Sequence, residues 1–226
     1  MPKKNFLIIA PHADDEVLGC GGTISKYSKM GYGIYIAILT NAHLGASEIF
    51  SKKQIKNIRR ESVSANKILK VNNLTFHELP APSLDQYPMY KIANLISVII
   101  NKIKPETVFI PSEKDIHIDH KIINHASMVA LRPINKHIVN RILAYETLSE
   151  THWSENINSS FSPNHFEKLD VKDITLKKKS FLKYKSQVKN FPHPRSLKGI
   201  DVLANFRGMN IGAQYAESFE IKRDIS

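Results

Sequence analysis

Residues 6–16 read Phe6-Leu-Ile-Ile-Ala-Pro-His-Ala-Asp-Asp-Glu16, an unbroken apolar run followed by a proline, a histidine and three acids. Apolar residues without alternation predict a strand buried on both faces, as in a parallel sheet. The polar stretch after it is a turn. A helical pattern then occupies Val17 to Met30 until Gly31 and Gly33 stop it. The same alternation runs through the first 150 residues, with strands predicted at Ile34 to Thr40, Leu74 to Leu79, Thr107 to Ile110 and Ile142 to Glu146. Helical patterns at residues 52–70, Tyr90 to Lys104 and His120 to Leu131 lie between them. The expected fold is α/β, a mostly parallel sheet with helices on both faces. Ligands of such sheets bind beyond the carboxyl ends of the strands, near the point where strand order reverses. That selects the loops 11–16, 41–50 and 111–120.

The last third is less regular, with a polar stretch from Asn156 to Asn164, a basic helix candidate from Thr175 to Lys189, and Pro192-His-Pro194. No linker or repeat interrupts the 226 residues, which read as a single domain, 1–226. A composition of 42% hydrophobic and 23% charged residues is that of a soluble globular chain. The formal charge of +11 comes from basic residues scattered in pairs and triplets, such as Lys52-Lys53 and Lys177-Lys178-Lys179, which read as solvated helix faces. Aromatics are not interleaved with them, so no nucleic-acid partner is expected. The single cysteine, Cys20, excludes an internal disulfide and fits a reducing compartment. The longest apolar stretch, Ile92 to Ile103, is broken by polar residues, and residues 6–10 are too few for a signal-peptide core. A cytoplasmic protein without a membrane span is expected, with homo-oligomerisation left open.

Two loops carry the chemistry. Three acids and a histidine directly after a buried strand are costly to desolvate unless a cation compensates them. His12 and Asp15 are three residues apart, so one turn can aim both at a common point. The same acids also suit the first turn of a helix, and this loop alone supports either reading. The loop after the fourth strand, Pro111 through His120, contains His117, Asp119 and His120. Two histidines three apart with an acid between them resemble a metal-ligand pair with an orienting carboxylate. Parallel-sheet topology would bring the two loops together. A His-Asp-His set with an open fourth position suits catalytic zinc. Asp14, next to a ligand, is the candidate base for activating water and passing its proton to a leaving amine. His117, as an imidazolium, could stabilise an oxyanion, and Asp119 could hold a histidine in its tautomer.

With these residues in view, Ala10-Pro-His-Ala-Asp-Asp-Glu16 followed by Val-Leu-Gly-Cys-Gly-Gly-Thr23 resembles the opening signature of the PIG-L/LmbE-like deacetylases. Pro111 through His120 is similar to the family's second signature, of the form His-x-Asp-His. Weaker similarities continue at Arg60-Glu61-Ser62, Tyr145-Glu146-Thr147, Arg207-Gly208 and Tyr215 to Phe219, so the resemblance covers nearly the whole chain. It implies a Rossmann-like α/β fold and Zn2+ held by His12, Asp15 and His120. It further implies Asp14 as general base and His117, with Asp119 behind it, stabilising the oxyanion. The implied substrate is a small-molecule N-acetylglucosamine-type amino sugar or conjugate, which could carry an anionic, nucleotide or lipid part. Two departures stand out. Ala13 replaces the proline of the family's His-Pro-Asp-Asp-Glu core. Ile58 lies where some members place a substrate-contacting arginine, and neither Arg59 nor Arg60 is equivalent, because a helix turns about 100° per residue.

Other residues are ambiguous in sequence. Arg195 could meet a substrate phosphate or hydroxyl, or be an ordinary solvated arginine in an exposed loop. Trp153 could stack on a sugar or simply pack, Tyr145 is as readily core as site, and His43 reads as a bystander. Two rival functions also remain open: an amidase acting on another N-acyl amine or thiol-sugar conjugate, and a non-catalytic basic metal-binding protein.

Overall fold

The computed structural model describes residues 4–134, 137–154 and 160–225. The opening apolar run forms β1 (Asn5–Ala10), in which Phe6 and Ile8 pack into one core and Leu7 and Ile9 into another. This two-sided burial is why the run shows no alternation. Around it lie β2 (Gly33–Asn41), β3 (Asn73–Pro80), β4 (Thr107–Pro111), β5 (Arg141–Tyr145), β6 (His165–Leu169) and β7 (Tyr215–Asp224). The sheet order is β3-β2-β1-β4-β5-β7-β6. The first five strands are parallel, β7 runs antiparallel to β5, and β6 antiparallel to β7. Strand order reverses between β1 and β4, so the loops leaving them share one edge of the sheet.

The helices are α1 (Asp15–Lys29), the single turn α2 (Ala42–Gly45), α3 (Lys52–Ile68), α4 (Met89–Ile103), α5 (Ile118–Ala130), α6 (Val171–Phe181) and α7 (Leu197–Met209). Val17 and Ile24 of α1, Ala65 of α3, Phe181 of α6 and Ile200 of α7 cover one face. Ile92 and Ile96 of α4 and Ile123 and Ala126 of α5 cover the other. The sheet is the expected Rossmann-like, mostly parallel one with helices on both faces. Helix α1 lies so close to it that a Cβ on Gly19 would strike the Tyr145 ring. Tyr145 is core, fully buried with its hydroxyl donating to the Ile9 carbonyl at 2.9 Å. Among the described residues, no helix is long and apolar enough to cross a membrane.

The last third departs from the sequence-based expectation. The basic helix begins at Val171 rather than Thr175, because Asp170 and Asp173 form a reciprocal capping box, and it ends at Phe181 rather than Lys189. Of the polar stretch 156–164, residues 156–159 lie outside the described residues. Strand β7 escaped notice because its buried side chains include Glu217, Ser218 and Glu220. Glu217 accepts from the backbone N–H groups of Gly22 (2.8 Å) and Thr23 (2.7 Å) and from Lys177 Nζ (2.6 Å), so its burial is compensated.

A second buried ion pair joins Glu146, the residue after β5, to α7. Arg207 donates from Nε and Nη2 to the two Glu146 oxygens at 2.8 and 2.6 Å, and Ser218 Oγ donates at 2.7 Å. Burial alone would raise the Glu146 pKa, but His152 and Arg207 outweigh it and hold the carboxyl below its ordinary value. Glu146→Gln leaves the Arg207 charge uncompensated and is expected to cost about 3–5 kcal/mol at neutral pH. The contribution is present above the unfolded-state pKa of about 4.3 and is lost as pH falls through the lowered folded value. Urea denaturation of both proteins at pH 7 and below pH 4 should show a gap that narrows in acid. Equal stability at pH 7 would refute this account.

Candidate active site

Three donor atoms converge where the β1 and β4 loops meet. His12 Nδ1 lies 3.4 Å from Asp15 Oδ2, His120 Nε2 lies 3.2 Å from the same oxygen, and the two imidazole nitrogens are 3.3 Å apart. Tetrahedral zinc with donors at about 2.0–2.1 Å spaces them about 3.3 Å apart. The near-equilateral triangle therefore matches one face of such a site, and Asp15 Oδ1, buried without a hydrogen-bond partner, adds an unused lone pair. His12, Asp15 and His120 form a cluster capable of coordinating a metal. Charge follows the same logic. Burial works against the imidazoliums, yet Asp119 and Asp15 raise His12 to about 9, while Asp15 and Asp115 raise His120 to about 10. Burial would also raise Asp15, but the two histidines hold its carboxyl well below the usual range. The pocket thus has the field of a cation site.

Each histidine is fixed from behind. Asp119 Oδ2 sits 3.1 Å from His12 Nε2, so it orients His12 and not His117, the partner that the family resemblance implies. Asp115 Oδ2 sits 2.7 Å from His120 Nδ1 and is itself held by Thr151 Oγ1 at 2.5 Å. Asp115 was in plain sight in the second loop, but a spacing of five residues from its histidine has no helical signature. It reaches because the chain turns into α5 between them. Carboxylate–histidine pairs of this kind fix ring orientation and tautomer in metal sites.

The first loop does more than cap a helix. Asp14 occupies the cap position of α1, yet its side chain makes no capping hydrogen bond and its backbone lies at φ 119°, a left-handed conformation unfavourable for an aspartate. Glu16 holds that conformation. Its Oε2 accepts from the Asp14 N–H at 3.0 Å, while its Oε1 accepts from Asn66 Nδ2 at 2.7 Å and from the Tyr184 hydroxyl. The Asp14 side chain is consequently aimed at the pocket. Burial pushes its carboxyl up to about 7, with the Arg195 charge pulling the other way.

Arg195 is not an ordinary solvated arginine. It donates to Ser149 Oγ (2.8 Å), Gln187 Oε1 (3.0 Å) and Glu150 Oε1 (3.2 Å), and its Nη1 lies 3.4 Å from Asp14 Oδ2. His117 stands opposite, its ring 4.6 Å from that of His12. Burial and the two neighbouring histidines lower its pKa to about 4, so it is a neutral imidazole rather than the imidazolium anticipated from sequence. Its Nδ1 accepts from the Asp119 N–H at 3.2 Å, which leaves the proton on Nε2. Asp14, His117, Glu150 and Arg195 line a cavity of about 600 Å³, together with Ile58 in the place of the missing arginine. Trp153 is 52% exposed and stacks edge-on against His193, and His43 binds the Phe50 carbonyl; neither lines this cavity.

Residues 7–131 match the family model described as PIG-L, GlcNAc-PI de-N-acetylase. The chain belongs to the PIG-L family. Among its relatives, the uncharacterised deacetylase YaiS of Escherichia coli (strain K12) is 31% identical over 191 residues, 81% of this chain and 92% of YaiS. The probable N-acetyl-alpha-D-glucosaminyl L-malate deacetylase 2 of Bacillus cereus is 26% identical over 59% of this chain and 64% of its own length. In fold, the chain is similar to the N,N'-diacetylchitobiose deacetylase of Pyrococcus horikoshii, with a TM-score of 0.77, 23% identity, and coverage of 97% of this chain and 84% of that one. PIG-L membership supports a general hydrolase activity on acetamido groups. The PIG-L match contains all six residues read from the two loops, whereas Glu150, Gln187 and Arg195 lie beyond its end.

Proposed function

We propose that the protein is a zinc-dependent hydrolase that removes the N-acetyl group from an N-acetylglucosamine-type amino sugar or sugar conjugate. The triangle of His12 Nδ1, Asp15 Oδ2 and His120 Nε2 carries this reading, because its spacing fits three corners of a tetrahedral site beside the cavity that His12 and Asp14 line. The names of the Bacillus and Pyrococcus relatives, both deacetylases of N-acetylated sugars, support the substrate class.

When bound, zinc would polarise the acetamide carbonyl and make a water acidic enough to attack near neutral pH. Asp14 would accept a proton from the attacking water and return it to the departing amine nitrogen as the C–N bond breaks, giving acetate and the free amine. The Arg195 charge, 3.4 Å from Asp14 Oδ2, favours the ionised carboxylate that a base requires. His117 would donate a hydrogen bond from its Nε2–H to the carbonyl oxygen as negative charge grows there, a role a neutral imidazole performs without giving up its proton. Asp119 and Asp115 keep the His12 and His120 rings in place.

The test is acetate release by the zinc-loaded protein from N-acetylglucosamine, its glycosides and its conjugates, with N-acetylated amino acids and simple N-alkylacetamides as non-sugar amides. Turnover confined to the sugars supports the proposal. Silence across the sugars, or faster hydrolysis of the non-sugar amides, overturns it.

A further inference from the structure

A second groove, of about 660 Å³, adjoins the catalytic cavity and shares Ile55, Arg59 and Phe76 with it. The residues lining it include Lys52, Lys56, Arg59 and Arg60 and no carboxylate. Arg59 is already compensated: its Nη1 is 2.7 Å from Glu78 Oε1, and its guanidinium lies over the Phe76 ring. Among the described residues, Lys52, Lys56 and Arg60 have no acidic partner, and all three are exposed.

The helix that bears them gains nothing from this pattern. Lys52, Lys56 and Arg60 follow one another at i, i+4 and i+8 along α3, so like charges stack on one face and repel. Lys52 and Lys53 also occupy the first turn, the positive end of the helix dipole, with no acid among them. Even the capping box that starts α3 uses neutral Gln54 where glutamate would serve equally well. The lone acid of α3, Glu61, is engaged with Ser186 and lines the other cavity. Departures from local helix preference that are consistent in sign, with Lys52, Lys56 and Arg60 all lining one groove, point to a function there.

Resting on the deacetylase reading above, we infer that this groove is an anion subsite, and that the substrate carries a doubly charged phosphate, as a phosphomonoester or a diphosphate, on a part of the molecule away from the acetamide. Three unpaired cations suit a group of charge −2, whereas a single carboxylate would leave two of them uncompensated. Two lysines and an arginine also supply the compact and forked donors that bind phosphate oxygens. The ridge of Ile55 and Phe76 between the two cavities gives the intervening part of the ligand an apolar floor.

The experiment compares kcat/KM for N-acetylglucosamine with those for its 1-phosphate, its 6-phosphate and its uridine diphosphate conjugate, using the zinc-loaded full chain and the double variant Lys56→Glu/Arg60→Glu. Both positions are exposed, so the variant should fold, which circular dichroism verifies. At least one phosphorylated sugar should be preferred tenfold or more over the neutral sugar at low salt, mainly through KM. That ratio should fall at least tenfold in the variant and weaken in 0.5 M salt. The three phosphorylated compounds distinguish a monoester from a diphosphate. Equal kcat/KM for neutral and phosphorylated sugars, or a ratio unmoved by the charge reversal, overturns the inference. Should no sugar release acetate, the deacetylase reading fails, and pyrophosphate binding measured by calorimetry decides the groove on its own. Binding lost on charge reversal supports the subsite, and the absence of binding to the unaltered protein refutes it.

Discussion

Asp14→Asn should lower acetate release by about 10²–10⁴-fold while leaving zinc content unchanged. The substitution keeps the size of the side chain and removes only its ability to accept a proton. Asp14 is not one of the three converging donors, so the metal should remain. The main chain at φ 119° is held by the Glu16 carboxylate through the Asp14 N–H, a bond that asparagine retains. The loop geometry is therefore preserved, and the loss reports the proton transfer itself. Metal analysis together with steady-state kinetics on one preparation checks both halves. A variant with wild-type kcat removes Asp14 from the role of base, and a variant that loses zinc makes it a ligand.

Asp15→Ala should reduce activity to background and strip the metal with it. Asp15 supplies the only negatively charged donor of the triangle, and its Oδ2 is the atom that both imidazoles approach. The same oxygen also accepts from the His12 N–H at 2.8 Å, so its loss frees the ligand loop as well. Loss of an orienting carboxylate behind a ligand typically costs 10–100-fold in metal affinity, and loss of a ligand should cost more. Wild-type protein treated with a chelator should lose activity and recover it on addition of Zn2+, whereas the variant should not recover at stoichiometric zinc. Full activity in the variant, or in chelated wild type shown by elemental analysis to be free of metal, would defeat the zinc assignment.

The parallel half of the sheet was legible because its strands are buried on both faces and its helices carry one apolar stripe, patterns that survive in linear sequence. The two loops were legible because their residues lie within a few positions of one another. What escaped is what depends on partners distant in the chain. Arg195 became a pocket residue only when Ser149, Glu150 and Gln187 surrounded it. Strand β7 hid behind Glu217, whose charge is satisfied by Lys177 and by backbone N–H groups of a helix almost two hundred residues earlier. Which histidine Asp119 faces is not legible in sequence, because a helical spacing does not say which of two neighbouring rings a carboxylate meets, and the fold brings His12 to it from the other loop. His117 reads as a cation beside Asp119, but burial and the charge of two neighbouring histidines lower its pKa to about 4.

Glu16 ties the main chain of Asp14 to Asn66 on α3 and to Tyr184 after α6, and neither of those two residues lines the cavity. In a saturation mutagenesis experiment scored by turnover, Asn66 and Tyr184 should consequently cluster with the residues that do the chemistry. A map of sensitive positions would then draw the catalytic centre larger than it is, and its outline would trace the scaffold holding one backbone angle as well as the groups that meet the substrate.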